Sequence, residues 1–203
     1  MKIICIGRNY SEHAKELNNP LPKEPVFFMK PDSALLMNNK PFFVPEFSNE
    51  VHYEVELVVK IHRLGKHIEK EFASRYYNEI GLGIDFTARD IQKQCKEQGL
   101  PWEKAKAFDN SAVLGGFKKM EKFPNRDSIH FELYKNNQLV QNGKSDEMIF
   151  SIDDIIAHVS QYLTLKIGDL IYTGTPAGVG PVQIGDRLTG KLEGETMFDF
   201  EVK

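Results

Sequence analysis

Three acidic residues offer the clearest chemistry in this sequence. Glu54 and Glu56 stand two places apart in VHYEVELVVKI, residues 51–61, and Asp85 ends the apolar segment of GLGIDFTARDIQ. The 51–61 segment reads as one strand, and in a strand residues i and i+2 point to the same face. Glu54 and Glu56 then lie side by side, with His52 in the same row. Val51, Tyr53, Val55, Leu57 and Val59 fill the other face. Two like charges in one row suit a solvated face on an edge strand. If the face is sheltered, one carboxylate must protonate or a cation must sit between them. Asp85 favours the sheltered reading, because it falls between an apolar run and a helix start. Three carboxylates form an all-oxygen ligand set, which suits Mg2+ or Mn2+ better than zinc and leaves positions open for a substrate. His52 is placed to join the set, although a histidine flanking a strand is more often structural. Asp90 is explained by helix capping.

The elements that would carry these residues are mostly strands. Residues 2–6, 51–61 and 79–85 read as strands, HFELYKNNQLVQNG as a hairpin turning at Asn136-Asn137, and residues 186–202 as a closing hairpin. GDLIYTGTP reads as a strand running into a loop. Helices are few and short. One is expected over 10–18 with Asn9 as its cap and Glu12 as the reciprocal partner, and another over 69–76. A third over 87–98 has Thr87 and Asp90 as a capping box and Gly99 as its stop; the last follows Ser151, capped with Asp154 and with Ile152, Ile155, Ile156, Val159 and Leu163 on its apolar face. Residues 19–50 are rich in proline and turn residues, so residues 1–50 read as a small subdomain or a cover over a site, within a single domain spanning 1–203. The fold class is α+β and β-rich, a rolled or sandwiched sheet with few short helices.

Composition excludes several partners. The chain has 203 residues and a formal net charge of -3, with no basic stripe, so neither nucleic acid nor an anionic membrane is an expected partner. Two isolated cysteines, Cys5 and Cys95, suit packed, unreactive thiols in a reducing compartment. No apolar run reaches the ~18–20 residues a bilayer crossing needs, and MKIICIGRNY leads straight into structured sequence. A soluble cytoplasmic protein is expected. The glycines of TGTPAGVG, residues 173–180, do not follow the GxxxxGK[ST] phosphate-loop pattern.

The motifs GRNYSEH at 7–13, FFMKP at 27–31, YEVEL at 53–57, DFTARDIQ at 85–92, LPWEKAKAFD at 100–109 and LIYTGTPAGVG at 170–180 resemble the fumarylacetoacetate hydrolase family in order and spacing, and the acylpyruvase and oxaloacetate decarboxylase branch in particular. The resemblance implies the family's β-roll, a homodimer and one Mg2+ or Mn2+ per subunit. It places Glu54, Glu56 and Asp85 as metal ligands, and His13 and Glu16 as a catalytic pair on a lid helix. It makes Lys106 a catalytic lysine and Lys30, Gln92 and Thr175 substrate contacts; Arg8 is a further substrate-binding candidate that could equally brace the lid. Arg89 reads as structural. The activity implied is C–C bond cleavage beside a 2-oxo acid: acylpyruvate hydrolysis, with His13 taking a proton from water, or oxaloacetate decarboxylation. The alternative is isomerisation or tautomerisation of enolisable 2-oxo diacids, and a rival from another class is a binder without turnover. A lid over residues 10–20 is expected to stand displaced when no substrate is bound.

Overall fold

The computed structural model describes residues 1–16 and 20–203. Fourteen strands and five short α-helices are found among them. The strands are β1 (Ile3–Gly7), β2 (Val26–Lys30), β3 (Leu35–Met37), β4 (Val51–Tyr53), β5 (Val55–Ile61), β6 (Tyr77–Asp85) and β7 (Thr87–Ala88). They continue with β8 (Ala112–Lys119), β9 (His130–Lys135), β10 (Gln138–Lys144), β11 (Leu170–Tyr172), β12 (Gly180–Pro181), β13 (Arg187–Leu192) and β14 (Glu195–Glu201). The helices are α1 (Ser11–Glu16), α2 (Lys70–Ala73), α3 (Arg89–Gln98), α4 (Glu103–Lys106) and α5 (Ile152–Tyr162).

Seven strands form one mixed sheet in the order β2-β1-β11-β5-β6-β8-β3. Laid flat, its edges would stand about 29 Å apart, at about 4.8 Å per strand. Yet β2 and β3, the two edges, are joined by residues 31–34 alone, which reach at most about 18 Å. The sheet must therefore curl into a roll. Its inner face carries Ile3, Cys5, Val58, Ala112, Leu114, Leu170 and Tyr172. Its outer face, with Ile4, Ile6, Val55, Leu57, Val59, Leu82 and Ile84, packs against Phe131, Leu133, Leu188, Phe198 and Phe200 of a second sheet, β10-β9-β13-β14. The expected β-rich α+β roll is the observed fold. Among the described residues no helix is long and apolar enough to cross a membrane.

Several local expectations hold. Asn136 and Asn137 both have positive φ and turn the β9–β10 hairpin. The Ser151 side chain accepts from Asp154 N at the start of α5. Gly99 takes φ 64° at the end of α3.

Others are corrected. Residues 51–61 are two strands broken at Glu54. β5 belongs to the roll, whereas β4 pairs with β7 and β12 in a third, three-stranded sheet. β6 breaks opposite, at Phe86, so the ribbon of β4-β5 and β6-β7 bends as a unit there. His52 leaves the row with the bend and pairs with Glu50 at 2.8 Å. Asn9 does not cap α1. It is fully buried and donates to Phe150 O (3.0 Å) and Thr173 O (2.8 Å), because those carbonyls would otherwise be unsatisfied inside the fold. Glu12 pairs with Lys15 instead. Thr87 does not cap α3; it lies in β7, and Asp90 accepts from Ser48 Oγ and Asn49 N. The expected 10–18 helix is described through Glu16, and positions 17–18 lie outside the described residues. Three strands from residues 3–37 are woven into the seven-stranded sheet.

The roll closes tightly at Gly83, on its inner face. A Cβ on Gly83 would lie 2.4 Å from Val113 O, 2.7 Å from Tyr172 Cε1 and 2.9 Å from Val58 Cγ2. Gly83→Ala is expected to lower stability by about 1–3 kcal/mol, measured by urea unfolding.

Candidate metal centre and its cavity

The bend at Glu54 and Phe86 sets the three carboxylates at one mouth of the roll. Glu56 on β5 is registered with Gly83 on β6, and Asp85 N donates to Glu54 O at 2.8 Å, so Glu54 and Asp85 face each other across the ribbon. One oxygen from each of Glu54, Glu56 and Asp85 lies within 4.8 Å of the others, and all three residues are buried.

Burying three like charges demands compensation. Lys106 on α4 donates to Glu54 Oε2 and Asp85 Oδ2, each at 2.8 Å. Arg89 pairs with the other oxygen of Glu54, Oε1, and donates to Gln92 Oε1 at 2.7 Å. Lys30 Nζ lies 2.7 Å from Asp85 Oδ1, but it donates instead to Phe86 O, Ser111 O and Ser111 Oγ. The Lys30–Asp85 contact is thus a buried ion pair, which gives Asp85 a second cationic partner besides Lys106. Glu56 accepts from Gly174 N at 2.7 Å.

The three acids are not equivalent. Burial pushes the Glu54 carboxyl up, yet Lys106 and Arg89 overcome this and hold it far below the usual carboxylate range. Burial, reinforced by the Asp85 and Glu54 charges, pushes Glu56 well up. Burial disfavours the Lys106 ammonium, but Asp85 and Glu54 reverse this and keep it charged. Glu56 ionises readily only with further positive charge beside it. That requirement and the hard oxygen donors fit a divalent cation such as Mg2+ or Mn2+.

Above the carboxylates lies a cavity of about 40 Å3, lined by Arg8, His13, Phe28, Glu54, Glu56, Asp85, Arg89, Gln92, Lys96, Trp102, Lys106 and Thr175. At roughly 10–15 Å3 per water it holds about three waters. His13 from α1 is buried, and its Nδ1 lies 3.1 Å from Glu16 Oε2. A carboxylate only accepts, so Nδ1 carries the proton and Nε2 is left as a base. Glu16 also accepts from Gly178 N (3.1 Å to Oε1), where Gly178 has φ 98°. The described part of the lid is therefore seated rather than displaced: this bond and the burial of His13 hold it down.

The structure gathers His13, Lys106, Arg8, Gln92 and Thr175 around the three acids. Glu16 stands behind His13. Lys30, the other substrate contact expected from the resemblance, stands against Asp85, with Nζ 2.7 Å from Oδ1. Arg8 sits at φ 60°, a strained backbone conformation for a non-glycine residue, at the cavity wall. Sequence reasoning missed Lys96 and treated Arg89 as structural. Positions 89, 92 and 96 follow helical spacing on one face of α3, and that was the available signal. Trp102 was the neglected member of LPWEKAK.

The model described as fumarylacetoacetate (FAA) hydrolase C-terminal matches residues 2–202, and the chain belongs to the fumarylacetoacetate hydrolase family. Among its relatives is the mitochondrial oxaloacetate tautomerase of Mus musculus, 41% identical over 201 residues that cover 99% of this chain and 91% of the relative. The mitochondrial oxaloacetate decarboxylase of Dictyostelium discoideum is 38% identical, covering 99% and 93%. A crystal structure of fumarylpyruvate hydrolase from Pseudomonas aeruginosa in complex with Mn2+ and pyruvate superposes with a TM-score of 0.94 at 33% identity, covering 100% of this chain and 89% of that one.

Glu56→Gln is expected to abolish Mn2+ binding in a calorimetric titration. In the metal-free protein the same change should raise the melting temperature, since it removes the one acid that lacks a cationic partner.

Proposed function

We propose that this chain is a divalent-metal-dependent enzyme that cleaves a C–C bond beside a 2-oxo acid, as an acylpyruvate hydrolase, an oxaloacetate decarboxylase or both. The observation that supports it is the juxtaposition of a buried three-carboxylate cluster with a histidine base held over it by Glu16. Glu54, Glu56 and Asp85 would hold the Mg2+ or Mn2+, which would supply Lewis acidity beside the 2-oxo group. The protein residues do the rest. Arg8, Lys96 and Arg89 make one wall cationic and attract an anionic substrate. Thr175 and Gln92 hold its polar groups, and Lys106 stabilises charge that develops beside the carboxylates. Glu16 keeps the Nδ1–H tautomer of His13, so that Nε2 takes the proton of a water attacking the distal carbonyl of an acylpyruvate. Oxaloacetate needs no attacking water, because its C4 carboxylate departs as CO2. The seated lid leaves little space, which favours compact acids over long acyl chains.

A second reading is tautomerase or isomerase activity on 2-oxo diacids. The same histidine would move a proton between carbon and oxygen, and relatives of this chain carry that name. A homodimer in the cytoplasm suits the family resemblance, the exposed Phe43, Phe47 and Ile184, and two buried free thiols.

Pyruvate release from acetylpyruvate and from oxaloacetate, with and without Mg2+, tests the proposal. Metal-dependent release from either substrate is expected. His13→Gln should lower acetylpyruvate hydrolysis by about 10²–10⁴-fold and oxaloacetate decarboxylation far less. If neither substrate yields pyruvate while enol oxaloacetate converts rapidly to the keto form, the tautomerase reading takes its place.

A further inference from the structure

Gln141 has no part in the chemistry described so far, yet it is buried and its side-chain amide is fully engaged beside the site. It sits in β10 next to an irregularity in the β9–β10 register between Leu139 and Gln141. Its Oε1 accepts from Val55 N at 2.9 Å. Its Nε2 donates to Pro176 O at 2.9 Å and to Thr175 Oγ1 at 2.8 Å. The amide orientation is fixed by chemistry. Val55 N–H only donates and Pro176 O only accepts, so exchanging the amide oxygen and nitrogen would lose both bonds.

The consequence falls on Thr175. Its Oγ1 accepts from Gln141 and so cannot donate back along that line. Its own proton is left to point elsewhere, and Thr175 lines the cavity. A hydroxyl that already accepts one hydrogen bond is also polarised into a better donor.

We propose that Gln141 is a positioning residue that fixes the Thr175 hydroxyl as an outward donor, so that the site favours an anionic oxygen over a neutral donor group at that position. This rests on the reading above that Thr175 meets the substrate. Gln141 also occupies Val55 N–H between Glu54 and Glu56, so one amide links the carboxylate strand to the loop that receives the ligand.

The test is a double-mutant cycle read by equilibrium titration of oxalate, a planar dianion, into Mn2+-loaded protein. Thr175→Val should weaken oxalate about tenfold or more, the worth of a hydrogen bond to a charged group, and Thr175→Ser should restore it. Gln141→Glu keeps the acceptor for Val55 N–H but puts an acceptor opposite Thr175, which turns the hydroxyl round; it should weaken oxalate by a similar factor. Gln141→Met, which removes the donor without adding charge, is the second probe. In either Gln141 background, Thr175→Val should cost less than about threefold more. Additive losses would overturn the proposal. So would Gln141 variants that weaken Mn2+ itself while leaving the effect of Thr175→Val at its full size, since Gln141 would then only support the carboxylate strand. No effect of Thr175→Val on oxalate would overturn it equally. Because the readout is binding, a chain that turns over neither oxo acid yet shows the coupled cycle would sink the proposed activity and leave the role of Gln141 standing.

Discussion

Three carboxylates are gathered at one buried mouth of the roll, and much of the surrounding structure answers to that constraint. Like charges removed from water separate, protonate or find counter-charges. Here the counter-charges come from three directions: Lys30 at the end of β2, Lys106 on α4 and Arg89 at the start of α3. Each must be delivered from a different part of the chain, so the placement of two helices and an edge strand follows from a local electrostatic need. The compensation is uneven. Glu54 has two cationic partners, Asp85 has two and Glu56 has none among the described residues, only the Gly174 amide. That imbalance leaves Glu56 as the carboxylate with most to gain from a further positive charge.

The roll makes the gathering possible. Gly83 lets Tyr172 and Val58 approach on its inner face, and the Tyr172 hydroxyl donates to Val113 O at 2.7 Å. The simultaneous break at Glu54 and Phe86 then turns one end of the central ribbon into a separate sheet. A straight ribbon would carry His52 into the carboxylate row. The bent one sends His52 outward and opens room for the cavity.

Much of this was legible in the residues. The i, i+2 spacing of Glu54 and Glu56 and the position of Asp85 pointed to one acidic cluster, and the three carboxylates do gather, although the strand breaks at Glu54 and parity fails for His52. The Asn136-Asn137 turn and the Ser151 cap were likewise local. What could not be read were decisions made by distant partners. Asn9 has the chemistry of a helix cap, but two carbonyls more than 140 residues away claim its side chain. Thr87 has the form of a cap until β4 draws it into a strand. Lys30 and Lys106 look alike in sequence. Only the fold separates the one behind Asp85 from the one at the cavity wall. Gln141 gave no signal, since a glutamine in a hairpin strand is ordinarily a surface residue.

The strand order carries one more consequence, for biosynthesis. β11, residues 170–172, lies between β1 and β5, so a central strand of the large sheet leaves the ribosome after the other six strands of that sheet. Until then β1 and β5 each present an unpaired backbone edge, the kind of surface that recruits other chains. Glu56 likewise waits for the Gly174 amide, and Asn9 for Thr173. A nascent chain short of this strand has neither a closed roll nor a finished three-carboxylate cluster, so truncation before it leaves an incomplete sheet rather than a smaller version of the same fold.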